Sequence, residues 1–280
     1  MRYYVITIFM VISLISYSRG HGGVTGFQQR INIDAKFMSL ADAYDAITYD
    51  SSSIYYNPGG LVNIKDTVLF VSYMPVWDNL THIYFVGAGF DTGFLPLGIG
   101  VINIGSTGIK ERSDSPEVID LLDYQDISLF ASTGLELVNG FSIGVRGGFY
   151  YQKVSTYHDW GAGLDASFLW RVKNPYDFTK SRIMRILQPI SFGVIFYNIL
   201  PPEINLYEKS IKFPLMVKGS LSYRFRTAWN FLDTEIGLGI ESISELDSYQ
   251  YNTGIEFKLW KIFYIRGGYK IEDEIFTLGS

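Results

Sequence analysis

Hydrophobic residues recur at every second position along most of this chain. From Phe213 to Phe225 the odd positions are Phe213, Leu215, Val217, Gly219, Leu221, Tyr223 and Phe225, while Lys218, Ser220, Ser222 and Arg224 fall on even ones. Tyr249 to Leu259 repeats the pattern, with Gln250, Asn252, Gly254, Glu256 and Lys258 between the apolar residues. Leu232, Ile236, Leu238 and Ile240 alternate with Asp233, Glu235, Gly237, Gly239 and Glu241, and the same period runs through 141–151, 160–170 and 263–269. Successive side chains of a strand point to opposite faces, so each stretch predicts a strand with one apolar face and one polar or glycine-rich face. Strands are expected at 67–75, 82–90, 94–105, 125–137, 140–152, 158–171, 188–199, 213–225, 231–243, 248–259, 261–271 and from 275. Asp91-Thr92, Val138-Asn139 and Trp260-Lys261 read as tight turns, and 106–124 and 200–212 as long loops. Lys173 to Gln188 is long where a short turn is due, with room for an amphipathic helix over Lys180 to Leu187.

One stretch imitates a membrane helix. Ile83 to Gly105 carries a single charge, Asp91, but it also holds six glycines and Pro96. A helix would lose about 1 kcal/mol at each glycine and about 3 kcal/mol at the proline, so a hairpin turning at Asp91-Thr92-Gly93 fits better.

Alternation alone fits a soluble sandwich or a membrane barrel. Three features favour the barrel. Strands of about ten residues suit a tilted bilayer crossing, where globular strands average about 5 or 6. The apolar faces are rich in Phe, Tyr and Trp near strand ends, as in the aromatic girdles of outer-membrane barrels. The opposite faces carry Arg146, Asp165, Lys218, Arg224, Glu235, Glu256, Lys258 and Arg266, a set suited to a wet lumen rather than the core of a small soluble barrel. The expected class is therefore all-β, an antiparallel transmembrane β-barrel of about 12–14 strands occupying 67–280.

Composition agrees with this expectation and closes off other chemistry. Of 280 residues, 48% are hydrophobic and only 18% charged, against about 25% charged in soluble domains. The net charge of −5 offers no basic stripe for nucleic acid. Without cysteine the chain has no disulfides, thiolate metal sites, Cys nucleophile or lipid-modified N-terminal Cys. His21, His82 and His158 are scattered, so no metal site is expected, and no cofactor. Gly87-x-Gly89 lacks dinucleotide-binding spacing, and no Ser, His and Asp set stands out, so no enzyme is expected.

The first residues read as an export signal. Met1-Arg2 precedes an uncharged run from Tyr3 to Ser18, and Ser16-Tyr17-Ser18 offers small residues for cleavage, so 1–18 is expected to be a signal peptide. Sixteen residues are short for a helix across about 30 Å of hydrocarbon.

Between the signal and the barrel, 19–66 is expected to form a partly helical plug. Its 35–61 portion reads AKFMSLADAYDAITYDSSSIYYNPGGL, predicting a helix over 38–48 and a helical turn capped from Asp50 to Ser53 and ended by Asn57-Pro58. This string resembles the N-terminal signature of the PorV/PorQ-like proteins within the FadL-like outer-membrane barrels. The shared box is Asn57, Pro58, Gly59, Gly60 and Leu61, with Gly59 standing where the FadL-like pattern usually has Ala. WGAGLDASFLW (160–170), FGVIFYNILPPEI (192–204), FPLMVKGSLSYRF (213–225) and NTGIEFKLWKIFYIRGGYKI (252–271) resemble later family strands in the same order.

The resemblance implies a 14-stranded outer-membrane barrel of a diderm bacterium with its N-terminal region folded inside. Asn57, Pro58, Gly59 and Gly60 would then belong to the plug and ligand pathway, with Asp42, Asp45 and Asp50 meeting lumen charges such as Arg146, Arg224 or Arg266. FadL-like members move hydrophobic molecules such as fatty acids, and PorV-like members serve protein secretion, so outer-membrane lipids, fatty acids and secretion-system proteins are the expected partners. A surface barrel without either role is the remaining reading. The final strand, 275–280, is short for a crossing of roughly 9–11 residues and does not end on an aromatic. That predicts a C-terminally truncated barrel, with a gap beside the first strand and Ser280 at mid-depth.

Overall fold

The computed structural model describes residues 26–44, 46–112, 117–171, 189–206, 209–226, 232–246 and 249–280. The expected signal peptide, His21, Asp45 and the expected 180–187 helix lie outside the described residues.

The chain is an all-β protein built on one large antiparallel meander. Its strands are β1 (Val68–Val76), β2 (Thr81–Asp91), β3 (Pro96–Arg112), β4 (Val118–Val138), β5 (Phe141–Val154), β6 (Tyr157–Arg171) and β7 (Ile190–Leu200). After a separate hairpin, β8 (Glu203–Leu206) and β9 (Lys209–Lys212), come β10 (Met216–Arg226), β11 (Leu232–Ile243), β12 (Tyr249–Leu259), β13 (Phe263–Lys270) and β14 (Ile275–Gly279). Twelve of these hydrogen-bond in the order β1 to β7, then β10 to β14. Every large-sheet strand lies where the alternation placed it. β14 pairs with β13 from Ile275↔Lys270 to Gly279↔Arg266, and no described ladder joins β14 to β1.

Two expected loops are structured. The 106–124 loop is largely strand, because β3 and β4 climb past their neighbours as a tall hairpin with a register shift between Ser106 and Ile109. Backbone pairing alone satisfies such a projection, so its polar sequence resembles a loop. The 200–212 loop contains the β8–β9 hairpin.

The residues before β1 lie against one face of this sheet. Here 3-10 turns at Phe27–Gln29, Ser51–Ile54 and Pro58–Asn63 accompany a single short helix, α1 (Ala35–Ser39). The helix expected over 38–48 is thus mostly absent. Leu40 ends α1, and Ala41 and Asp42 then take φ of 51° and 64°, a left-handed turn that no helix continues through. The cause is tertiary: the backbone from Leu40 to Ala46 follows the curved wall, lying against Gly268, Gly254, Gly239 and Gly193 in turn. Ser39 touches Gly279 on β14 at one edge, while Ile64 touches Gly89 on β2 beside the other. One segment reaching both flanks means that the sheet curls around it.

The two faces of the sheet differ sharply. The segment-facing side holds the main apolar cluster, with Phe37, Leu40, Ile54, Tyr55, Leu61, Phe85 and Ile102 buried. On the outward side Leu69, Val71, Phe149, Leu238 and Ile265 are exposed, Leu69 to 72%. Among the described residues, the outward positions of the central rungs, from Leu69 on β1 to Ile265 on β13, include no Asp, Glu, Lys or Arg.

Candidate functional site

The Asn57-Pro58-Gly59-Gly60-Leu61 box sits where the N-terminal segment meets β4, β5 and β6. Asn57 caps the 3-10 turn: its Oδ1 accepts from Gly59 N at 2.9 Å, and Pro58 follows at the position where a missing N–H costs nothing. The Asn57 amide nitrogen donates to Ala46 O (2.6 Å) and to Phe168 O on β6 (3.2 Å), so this fully buried side chain ties two parts of the segment to the wall. Gly59 N also meets Ser167 Oγ (3.1 Å), and Gly59 O accepts from Ser142 Oγ on β5 (2.6 Å). A Cβ on Gly60 would collide with Thr48 O, which explains glycine there by close approach alone.

A second cluster centres on Arg146. Its guanidinium pairs with Asp165 at 2.7 Å, donates to Tyr55 O in the N-terminal segment, and lies 5.3 Å and 5.1 Å over the rings of Phe130 and Tyr197. The other Asp165 oxygen accepts from Asn198 N at 2.7 Å. Asn198, at φ 62°, exchanges amide hydrogen bonds with Gln29 at 2.8 Å in both directions, and Gln29 also donates to Tyr150 OH at 2.9 Å. Arg146 and Asp165 thus join three wall strands to two stretches of the segment in a buried polar chain.

That chain sits at a break in the wall. β6 and β7 stay in register from Arg171↔Ser191 to Ala166↔Phe196; the next pair is Leu164↔Leu200, leaving two extra residues on β7. Past Leu200, Pro202 and Glu203 turn against Gly161 and Gly163 of β6, and Ile204 is buried with Tyr150 and Phe213. From Tyr157 to Gly163, β6 has no described ladder on this side.

The eight charges expected in the lumen all lie on strands that face the segment, and most are paired there. Arg266 bonds Glu256 at 2.7 Å and Lys218 bonds Glu241 at 3.3 Å. Glu235 takes Arg171 at 3.3 Å, and Lys258 Nζ lies 5.0 Å over Tyr264. Arg224 lies beside Pro189, to whose carbonyl its backbone N–H donates. The expected carboxylate partners are corrected. Asp42 pairs with Lys270 and Asp50 with Lys36, while Arg146 and Arg266 are occupied by the wall's own Asp165 and Glu256. Wall pairs are pre-aligned by the ladder, Arg146↔Asp165 and Arg266↔Glu256 being direct cross-strand neighbours, so little ordering entropy opposes them.

Near Tyr49, the Arg171 guanidinium stacks 3.5 Å over the ring, and Lys36, Glu235 and Glu256 close a void of about 10 Å³, room for one water. Burial would raise the Asp50 carboxyl, but the Lys36 ammonium and two Ser52 donors overcome it and hold the group below its ordinary range. Burial pushes Asp34, the α1 cap, the other way. Among the described residues no cluster of His, Asp or Glu is placed to hold a metal ion. His82 stacks on Tyr73, and His158 lies beside Tyr151.

Gln29, Tyr55, Asn198 and Arg30, which reaches Glu241 at 3.3 Å, were not singled out by the sequence. Asn198 alone left a signal, an Asn before Pro201-Pro202 at a strand end; Gln29 left none. The chain matches no protein-family model, and no curated protein is significantly similar to it.

Proposed function

We propose that this chain is an outer-membrane β-barrel, with residues 26–66 as its plug, and that it passes hydrophobic small molecules such as fatty acids through its wall. The membrane setting rests on the outward face, whose central rungs are uncharged and carry exposed Leu, Val, Phe and Ile side chains, the kind of apolar surface that marks an interaction site. Closed barrels and helices alone satisfy every backbone group in lipid, and a large antiparallel sheet that curls around the N-terminal segment is compatible with the former. The observation that carries the transport reading is the departure of β7 from β6 at Asn198, which leaves β6 with no described ladder on its β7 side between Tyr157 and Gly163. A central route is disfavoured, because Tyr55, Leu61, Phe85 and the Arg146 chain fill the interior.

The chain contains no cysteine, so Leu164→Cys with Leu200→Cys tests this directly at a paired position beside the break. In proteoliposomes, the oxidised double variant is expected to lose uptake of a fluorescent fatty acid, and reductant to restore it. Equal uptake in both redox states refutes the wall route.

A second reading follows from the same packed interior. An interior packed, among the described residues, by Tyr55, Leu61, Phe85 and the Arg146 chain suits a scaffold for secreted proteins, and uptake no faster than in empty vesicles for the unmodified protein would favour it.

A further inference from the structure

The outward face is not evenly filled. Across β1 to β6 it sinks into a groove of about 800 Å³. Its floor is made by Ala88, Ala131, Gly147 and Ala162, and larger neighbours such as Leu129 and Phe149 stand beside it. The pairing explains the shape. Ala131 lies opposite Gly147, and Leu129 opposite Phe149, which in turn faces Ala162, so small outward residues align across strands while bulky ones flank them. Gly147 has no neighbour within 4 Å of where its Cβ would stand, so the hollow is open and nothing in the fold requires glycine there. Phe149 stacks on Trp160 at 4.9 Å and forms an aromatic wall at one end. At Ala162 and Gly163 the groove reaches the part of β6 that has no described ladder on its β7 side.

We infer that this groove is a hydrocarbon-binding site that takes an acyl chain of a membrane phospholipid, an inference that rests on the membrane setting proposed above. Three features select that occupant. No charged side chain lines the groove, so nothing there compensates a carboxylate or headgroup. Its volume lies within the roughly 300–1,000 Å³ of small-molecule sites. It also lies inside the uncharged band of the outward face, continuous with the surface that would meet lipid tails. A chain lying across Ala131 and Gly147 would be held by contact area alone and selected for apolarity rather than headgroup. Its end at the wall break would put that lipid beside the proposed exit.

A Cβ at position 147 meets no atom within 4 Å, so Gly147→Leu places a side chain in the groove without a clash at its root. The full-length protein would be purified from vesicles of phosphatidylcholine into mild detergent, and retained phospholipid measured by native mass spectrometry. Wild type is expected to hold one phospholipid, and Gly147→Leu to retain it about tenfold less, the loss of roughly two methylene contacts. A second measurement uses brominated acyl chains with Trp160 as the sole tryptophan, where wild type should be quenched more than the variant. Equal retention and equal quenching overturn the site. Retention of added hexadecane without phospholipid overturns the lipid occupant, and a dimer lost in Gly147→Leu would make the occupant a second copy. A protein that never partitions into vesicles overturns the membrane setting itself, a result distinct from insertion with an empty groove.

Discussion

Arg146 ties the wall to the N-terminal segment through a buried ion pair and a bond to Tyr55 O. Its charge is buried among Phe130, Tyr197 and Tyr55 and is compensated by one carboxylate. Truncating one member of such a pair strands the other, at a cost of about 3–5 kcal/mol. Arg146→Ala should therefore lower the temperature at which the folded band disappears on unboiled gels, while Arg146→Met with Asp165→Leu should recover much of the loss. A single variant as stable as wild type would mean that water already reaches the pair. Asp50 titrates in the usual carboxylate direction. Its folded pKa is depressed, so its contribution is present above the unfolded value and fades as pH falls through the folded one. It is half-exposed, which keeps this below about 1 kcal/mol. The stability gap between wild type and Asp50→Asn should be visible at about pH 7 and shrink as pH falls below the ordinary carboxylate range in parallel melts.

Between elements, glycines on the wall decide how closely the N-terminal segment seats. Gly193 on β7 faces Ala46 O so closely that no Cβ fits, whereas Gly147 on the outward face has open space around it. Gly193→Val forces backbone apart and should cost about 1–3 kcal/mol or more, while Gly147→Val should be close to neutral. Limited proteolysis separates the two: early cleavage within 26–66 is expected for the first variant only. Equal protection would show that the segment shifts to accommodate the side chain.

At the scale of the molecule, the curled sheet keeps its charged pairs on the segment-facing side, beside the apolar cluster around Phe85 and Ile102, and leaves the central rungs of its outward side uncharged and apolar. Detergent-purified protein should give a strand-dominated circular dichroism spectrum and migrate faster unboiled than boiled on SDS gels. Solubility without detergent would contradict the membrane reading. The described ladders leave β1 and β14 as edges, while the segment that binds both flanks spans the interior between them.

The chain itself determined the strands. Period-two alternation depends only on neighbouring residues, so Phe213–Phe225 and Tyr249–Leu259 declared both their conformation and which side chains share a face. The inward set of Arg146, Glu235, Glu256 and Arg266 was legible for the same reason, as was the cap at Asp50. Pairing partners were not, because they depend on register and on how the segment lies within the curl. Arg146 meets Tyr55 across 91 positions, and Gln29 meets Asn198 across 169. The same blindness placed a helix over 38–48, where local propensity favours one but the curved glycine-floored wall imposes a series of turns through Ala41 and Asp42. Only the folded molecule could decide these points, since burial, close backbone approach and ion-pair choice are set by groups remote in sequence, and single-strand periodicity carries no information about them.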